Sequence, residues 1–128
     1  MVSIVCCSIR QNFLENVFQN YEKQVWKEKE LIIILNRDDM ETTKWEERAK
    51  QSQGVSVYQL PEAVRLGECL NYGIEKAKYG FIAKFDDDDY YAPNYLAQSM
   101  EALKVMNADI VGKGTIYMYF EALKTLVV

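Results

Sequence analysis

Histidine is absent from the sequence. Its absence removes imidazole acid–base catalysis, nucleophilic triads that rely on histidine, and zinc sites of the common histidine type. Cysteine is scarce and odd in number: Cys6, Cys7 and Cys69. Cys6 and Cys7 are neighbours in an apolar strand pattern, so their side chains point to opposite faces. That arrangement predicts free, buried thiols and a reducing, cytoplasmic setting. No G-x-G-x-x-G follows the first apolar run and no G-x-x-x-x-G-K-[ST] occurs, which disfavours a nicotinamide site and a P-loop. No basic block occurs and the net charge is -4, so no nucleic-acid partner is expected. No apolar run is long enough to span a bilayer. The first strand pattern follows directly on Met1, so no signal peptide is expected.

What is present reads as alternating strands and helices. The 128 residues, 49% hydrophobic and 27% charged, suit one soluble domain with one core. Residues 2–7 (VSIVCC) form a buried strand pattern and residues 8–12 a polar loop. Phe13, Leu14, Val17, Phe18, Tyr21 and Val25 recur at helical spacing, with Asn12 as the expected N-cap. Residues 31–35 (LIIIL) are a continuous aliphatic run, the pattern of a central parallel strand covered on both faces. A polar helix is predicted over 42–51, with Trp45 and Ala49 inward. Gly54 ends it, and residues 55–58 form a short strand. Leu66, Leu70, Ile74 and Ala77 stripe the next helix, where Gly67 and Gly73 allow close approach to the sheet. Residues 81–85 read as a buried strand. Pro93 stands in the first turn of a further helix with Leu96, Met100 and Leu103 inward. Residues 109–112 and 115–120 supply two last strands. This order predicts an α/β fold, a three-layer α/β/α sandwich on a mostly parallel sheet, in one domain over residues 1–128.

The organising stretch is residues 81–91, FIAKFDDDDYY, where the apolar run gives way to Asp86, Asp87, Asp88 and Asp89. Adjacent carboxylates repel one another, so positive charge is expected nearby. Two readings stand side by side: a site for a hard divalent ion, or a solvated acidic turn capping the next helix. An EF-hand does not fit, because Tyr91 stands where its turn glycine belongs. Parallel strands place their carboxyl ends on one edge, where open sheets bind ligands. Residues 8–11, 36–39 and 86–89 should therefore converge there. A carboxylate-recruited metal at that edge suits a nucleoside diphosphate, whose departure it would assist. Tyr90 and Tyr91 either stack on a sugar or pack as core.

On these residues the chain resembles the family 2 inverting glycosyltransferases, which have the GT-A fold, over residues 2–111. Residues 2–8 resemble the family's first strand and 30–39 its second strand and polar turn. Residues 65–74 (RLGECLNYGI) match the helix before its metal motif, 85–89 (FDDDD) the D-x-D motif, and 93–96 the helix after it. The resemblance implies a donor nucleotide-sugar-binding domain whose acceptor half is absent. It implies transfer with inversion from a nucleotide-diphosphate sugar, UDP-linked by first preference, in bacterial surface polysaccharide synthesis. Mn2+ or Mg2+ is the implied cofactor, with Asp86 and Asp88 as metal positions and Asp88 the direct ligand. Asp87 is implied near the ribose or a phosphate. Cys7 and Ser8 are implied in the nucleoside pocket, and Arg10, Asn36, Asp38 and Arg65 among the donor contacts. Arg65 reads equally as a phosphate or base contact and as an exposed cation at a helix start. Asn36 stands where the family often has Asp. Its amide still offers a donor and an acceptor, which leaves the nucleobase open. The implied partners are the donor and a carbohydrate or lipid-linked acceptor, and an open apolar face would favour a homo-oligomer. The catalytic base is assigned to no residue here. A non-catalytic binding or scaffold module is the alternative from another class. A nucleotidyltransferase would need a glycine-rich loop where residues 8–11 read SIRQ.

Overall fold

The computed structural model describes residues 1–106, 110–113 and 116–120, with side chains through residue 102. Strand β1 (Val2–Ser8) lies inside a six-stranded sheet. β2 (Lys29–Leu35) pairs with it on one side and β4 (Phe81–Asp86) on the other, both parallel. β3 (Val55–Gln59) adds in parallel to β2 at the edge. β6 (Ile116–Phe120) and β5 (Ile110–Lys113) extend the far side in antiparallel fashion, for the order β3-β2-β1-β4-β6-β5. This is the α/β layer fold with a mostly parallel sheet that the sequence predicts.

Helices cover both faces. α1 (Leu14–Glu22), α2 (Thr42–Ala49) and α4 (Tyr95–Met106) lie on one face, and α3 (Leu66–Lys76) on the other. Alternation along each strand divides the core. Ile4, Cys6, Ile33 and Phe85 meet Phe18, Trp45 and Leu96 on the first face. Val5 and Ile82 meet Leu70 and Ile74 on the second, where Ile32 and Ile34 pack with Cys69. No residue of the LIIIL run is more than 1% exposed, as a strand covered on both faces requires. Cys6 and Cys7 do point to opposite faces, with Cys7 beside Cys69 under α3. No helix among the described residues is long and apolar enough to cross a membrane.

Several local expectations are corrected. The chain after β1 first makes a 3-10 turn (Gln11–Phe13), so α1 starts at Leu14 and Asn12 is not its cap. α1 stops at Glu22. Val25 is exposed, and its N–H donates instead to the carbonyl of Pro93 at 2.9 Å. Pro93 precedes α4 and is not in its first turn. α2 ends at Ala49, ahead of Gly54, which sits at the entry to β3 with φ +73. There its carbonyl accepts the Leu31 N–H at 2.8 Å, so it serves a turn rather than a helix end. Leu66 is exposed, Ala77 lies just past α3, and Gly67 faces open space. Gly73 alone allows the close approach: a Cβ there would lie 2.5 Å from Val5 Cγ1. The side chain of Leu103, and Asp109 and Thr115, lie outside the described residues.

Register positions the site. Ser8 pairs with Leu35 and Cys7 with Asp86, so the three polar segments leave the sheet side by side. Strand order also reverses at β1, with β2 and β3 to one side and β4 to the other. The crevice outside the carboxyl ends at such a reversal is where open α/β sheets bind ligands.

Candidate functional site

The backbone turns immediately after β4, so the four carboxylates of residues 86–89 meet different surroundings. Asp87 faces inward and is only 6% exposed. It accepts the Ser8 hydroxyl at 2.7 Å and Arg10 Nη2 at 2.7 Å. Arg10 reaches over from the β1 loop, its guanidinium 4.6 Å from the ring of Phe13. The same Nη2 lies 3.2 Å from Asp88. Asp86 pairs with Lys84 Nζ at 3.4 Å. The Asp89 carboxyl is pushed above its ordinary range, first by desolvation, then by its hydrogen bond to Asp86 and by repulsion from the other acids. The positive charge that the acid run calls for is thus partly internal. Arg10 and Lys84 face four carboxylates, an excess of two negative charges.

A row of amides on the α1 side holds the turn. Asn16 Nδ2 donates to the carbonyls of Asp87 at 2.6 Å and Asp89 at 2.9 Å. Asn20 Nδ2 donates to the Asp89 carbonyl at 2.7 Å, and its Oδ1 accepts the Tyr91 N–H at 3.0 Å. Gln24 Nε2 donates to the Ala92 carbonyl at 2.9 Å, and its Oε1 accepts the Leu96 N–H at 3.0 Å. That last bond satisfies one of the orphan donors at the start of α4. Buried backbone groups need partners, and an amide side chain offers both a donor and an acceptor. A search for apolar periodicity passes over these residues. The signal that finds them is the spacing of four between Asn16, Asn20 and Gln24. Tyr91 completes the frame. Its ring stacks on Phe85 with centroids 3.8 Å apart, and its hydroxyl accepts the Asp86 N–H at 2.7 Å. Burial pushes the phenol up, so it serves as a neutral acceptor. Tyr91 is therefore core, whereas Tyr90 is 68% exposed.

The other candidates lie around this cluster. The Asn36 N–H donates to the Ser8 carbonyl at 3.0 Å, while its Nδ2 donates to the Pro61 carbonyl at 2.8 Å. One of its two amide N–H donors is therefore committed to the loop after β3. Asp38 is exposed and accepts the Glu62 N–H at 3.4 Å. Cys7 packs toward α3, and burial pushes its thiol up to about 12, so it is a neutral packing group. Arg65 is exposed at the position before α3, on the same sheet edge. Ser8, Arg10, Asp86, Asp87 and Asp88 thus form one cluster with Asn36 beside it. Cys7 borders it through its register with Asp86, whereas Asp38 and Arg65 make no hydrogen bond or ion pair to it among the described residues. A cavity of about 140 Å3 opens between the first two strand-to-helix loops, lined by Ile9, Gln11, Arg37, Asp39, Met40 and Glu41. Gln11 Oε1 accepts from Trp45 Nε1 at 3.0 Å and from the Glu41 N–H at 3.2 Å. Ile9 and Gln11 fall within the segment 8–11 that the sequence places at this edge, but the sequence gives neither a role of its own.

Among the described residues, no group of three or more His, Cys, Asp or Glu side chains is placed to hold a metal by itself. The acid turn suits an ion in another way. Ions that bind at phosphates take one or two carboxylates and fill their remaining positions with phosphate and water oxygens. Asp88, 45% exposed, and the partly exposed Asp86 fit that role, whereas the Asp87 carboxylate is committed to Ser8 and Arg10.

Comparison with known proteins agrees with this architecture. The O-antigen biosynthesis glycosyltransferase WbnJ of Escherichia coli is 29% identical over 117 residues, 89% of this chain and 46% of WbnJ. The crystal structure of S. aureus TarS 1-349 matches with a TM-score of 0.80 at 16% identity, over 95% of this chain and 47% of that one. TarS is also solved with UDP-GlcNAc and with UDP. The mannosyltransferase PcManGT of Pyrobaculum calidifontis, in complex with GDP-Man and Mn2+, matches with a TM-score of 0.75 at 13% identity, over 92% and 44%. The chain spans less than half the length of each of these three proteins. The structural likenesses establish the fold, that of the GT-A glycosyltransferases. The model of the family described as "Glycosyl transferase family 2" matches residues 3–125, nearly the whole sequence, and the chain therefore belongs to glycosyltransferase family 2.

Proposed function

We propose that this domain binds a nucleotide-diphosphate sugar along the carboxyl edge of β1, β2 and β4, as the donor half of an inverting glycosyltransferase. The observation that carries the reading is the cradled acid turn. It presents Asp86 and Asp88 outward beside Arg10, at the strand-order reversal of a family 2 fold. The ligands of the structural neighbours support it: UDP and UDP-GlcNAc with TarS, GDP-Man and Mn2+ with PcManGT.

Mn2+ or Mg2+ held by Asp86 and Asp88 would offset the charge that builds on the departing diphosphate. The excess negative charge of the cluster supports a divalent ion there. The chain's own residues bind and orient. Ser8 and Asp87 fix Arg10 beside the donor, Asn36, Asp38 and Cys7 border the nucleoside, and Arg65 adds a second cation at the edge. UDP is the first choice of nucleotide. The likeness to an O-antigen enzyme supports a role in surface polysaccharide synthesis at the cytoplasmic side, with a carbohydrate or lipid-linked acceptor.

Calorimetry tests the proposal. UDP is expected to bind in the presence of Mn2+ and to bind roughly tenfold more weakly after Asp88→Asn. No heat with Mn2+ present, or equal affinity for the variant, would remove the donor-site reading.

A further inference from the structure

Asp88 is the carboxylate best exposed to take an ion, yet it is already paired with Arg10 at 3.2 Å. Arg10 Nη2 serves both Asp87 and Asp88, and the two contacts differ in kind. The Asp87 side chain is buried, bonded at 2.7 Å, and held a second time by the Ser8 hydroxyl. The Asp88 contact joins side chains that are 44% and 45% exposed, and such a pair contributes little. Arg10 Nε and Nη1 donate to nothing among the described residues. Each shares an edge of the planar guanidinium with Nη2, so an Nη2 hydrogen released by Asp88 would complete a fork for bidentate contact with phosphate oxygens. The Phe13 ring beneath the guanidinium adds a cation–π contact at 4.6 Å.

We propose that Arg10 is an exchangeable counter-ion: without donor it covers Asp88, and with donor it keeps Asp87, releases Asp88 and turns its free edge to the diphosphate. This inference rests on the donor-site reading. Asp87 is then the positioning residue for Arg10, and Asp88 opens to a divalent ion as the diphosphate arrives. Neither Arg10 nor Asp88 is left unpaired at either stage, because the phosphate takes the guanidinium while the ion takes the carboxylate. Ion and diphosphate should therefore bind cooperatively, and the ion alone weakly.

The test uses the full chain, with Mn2+ binding read by electron paramagnetic resonance and UDP binding by calorimetry. Arg10→Gln is expected to bind Mn2+ alone roughly three- to tenfold more tightly than wild type, because Asp88 is uncovered. The same variant should bind UDP in saturating Mn2+ roughly tenfold more weakly. Arg10→Lys keeps a charge at Asp87 but has no fork. It should weaken UDP at least roughly threefold, and it carries the test if Arg10→Gln does not fold. Suppose wild type binds UDP and Asp88→Asn does not, but Arg10→Gln leaves both affinities unchanged. The Arg10 assignment then falls and the donor site stands. Wild type that binds no UDP overturns the donor-site reading and this inference with it.

Discussion

Tyr91 meets the acid turn twice, through its ring on Phe85 and its hydroxyl on the Asp86 N–H. Tyr91→Phe keeps the ring and removes the acceptor. The Asp86 N–H then lacks a partner in a partly buried place, so urea denaturation should show a loss of about 1 kcal/mol. The same scale shows what the letters cannot tell. Asp87 and Asp88 are one residue type in one run, yet Asp87 is buried and Asp88 half exposed. The motif was legible as four adjacent acids at a strand end. Which acid faces in was not, because that depends on Ser8 and Arg10, whose loop arrives from a strand 79 positions away in the pair Ser8–Asp87.

At the scale of elements, α1 and α2 are clamped by Arg48. Its guanidinium bonds Glu22 at 2.7 and 2.8 Å and Glu15 at 3.0 Å, and lies over the ring of Phe18. Glu22 also accepts the Ser52 hydroxyl. The hydrogen bond from Arg48 holds the Glu22 carboxyl below its ordinary 4.5. A depressed carboxyl contributes stability above its unfolded value and loses it as pH falls through the folded one. Thermal melts of wild type and Glu22→Gln should therefore differ at pH 7 and converge as pH drops below 4.5. α3 gives a second case. Gly73→Ala drives a methyl against Val5, a stiff β-branched side chain in the sheet. Overpacking of this kind costs about 1–3 kcal/mol, against about 1 kcal/mol gained in helix propensity. Gly73→Ala should lower the urea midpoint, while Gly67→Ala, in open space, should leave it unchanged or raise it. Element types were legible because burial imposes them: the LIIIL run, short and flanked by polar stretches, fits a strand covered on both faces. Boundaries were less so. Val25 fits the helical spacing of α1, but its N–H is drawn to Pro93, a partner remote in sequence.

At the scale of the whole molecule, the arrangement that matters is one sheet edge. Its location was legible, since parallel strands must end together and three polar segments each follow an apolar run. The register Ser8–Leu35 and Cys7–Asp86 makes that convergence close. The amide row of Asn16, Asn20 and Gln24 shows in the sequence only as a spacing of four; what it holds was not legible, because it acts on backbone carbonyls and N–H groups and leaves no complementary letters. The central claim is that this edge grips a nucleoside diphosphate through an ion at the acid turn. Crystals of the chain grown with UDP and Mn2+, read for anomalous manganese signal, test it most directly. The account predicts a manganese peak bonded to Asp88, with the diphosphate between that ion and Arg10. A nucleotide bound elsewhere, or a manganese peak away from residues 86–88, would contradict it.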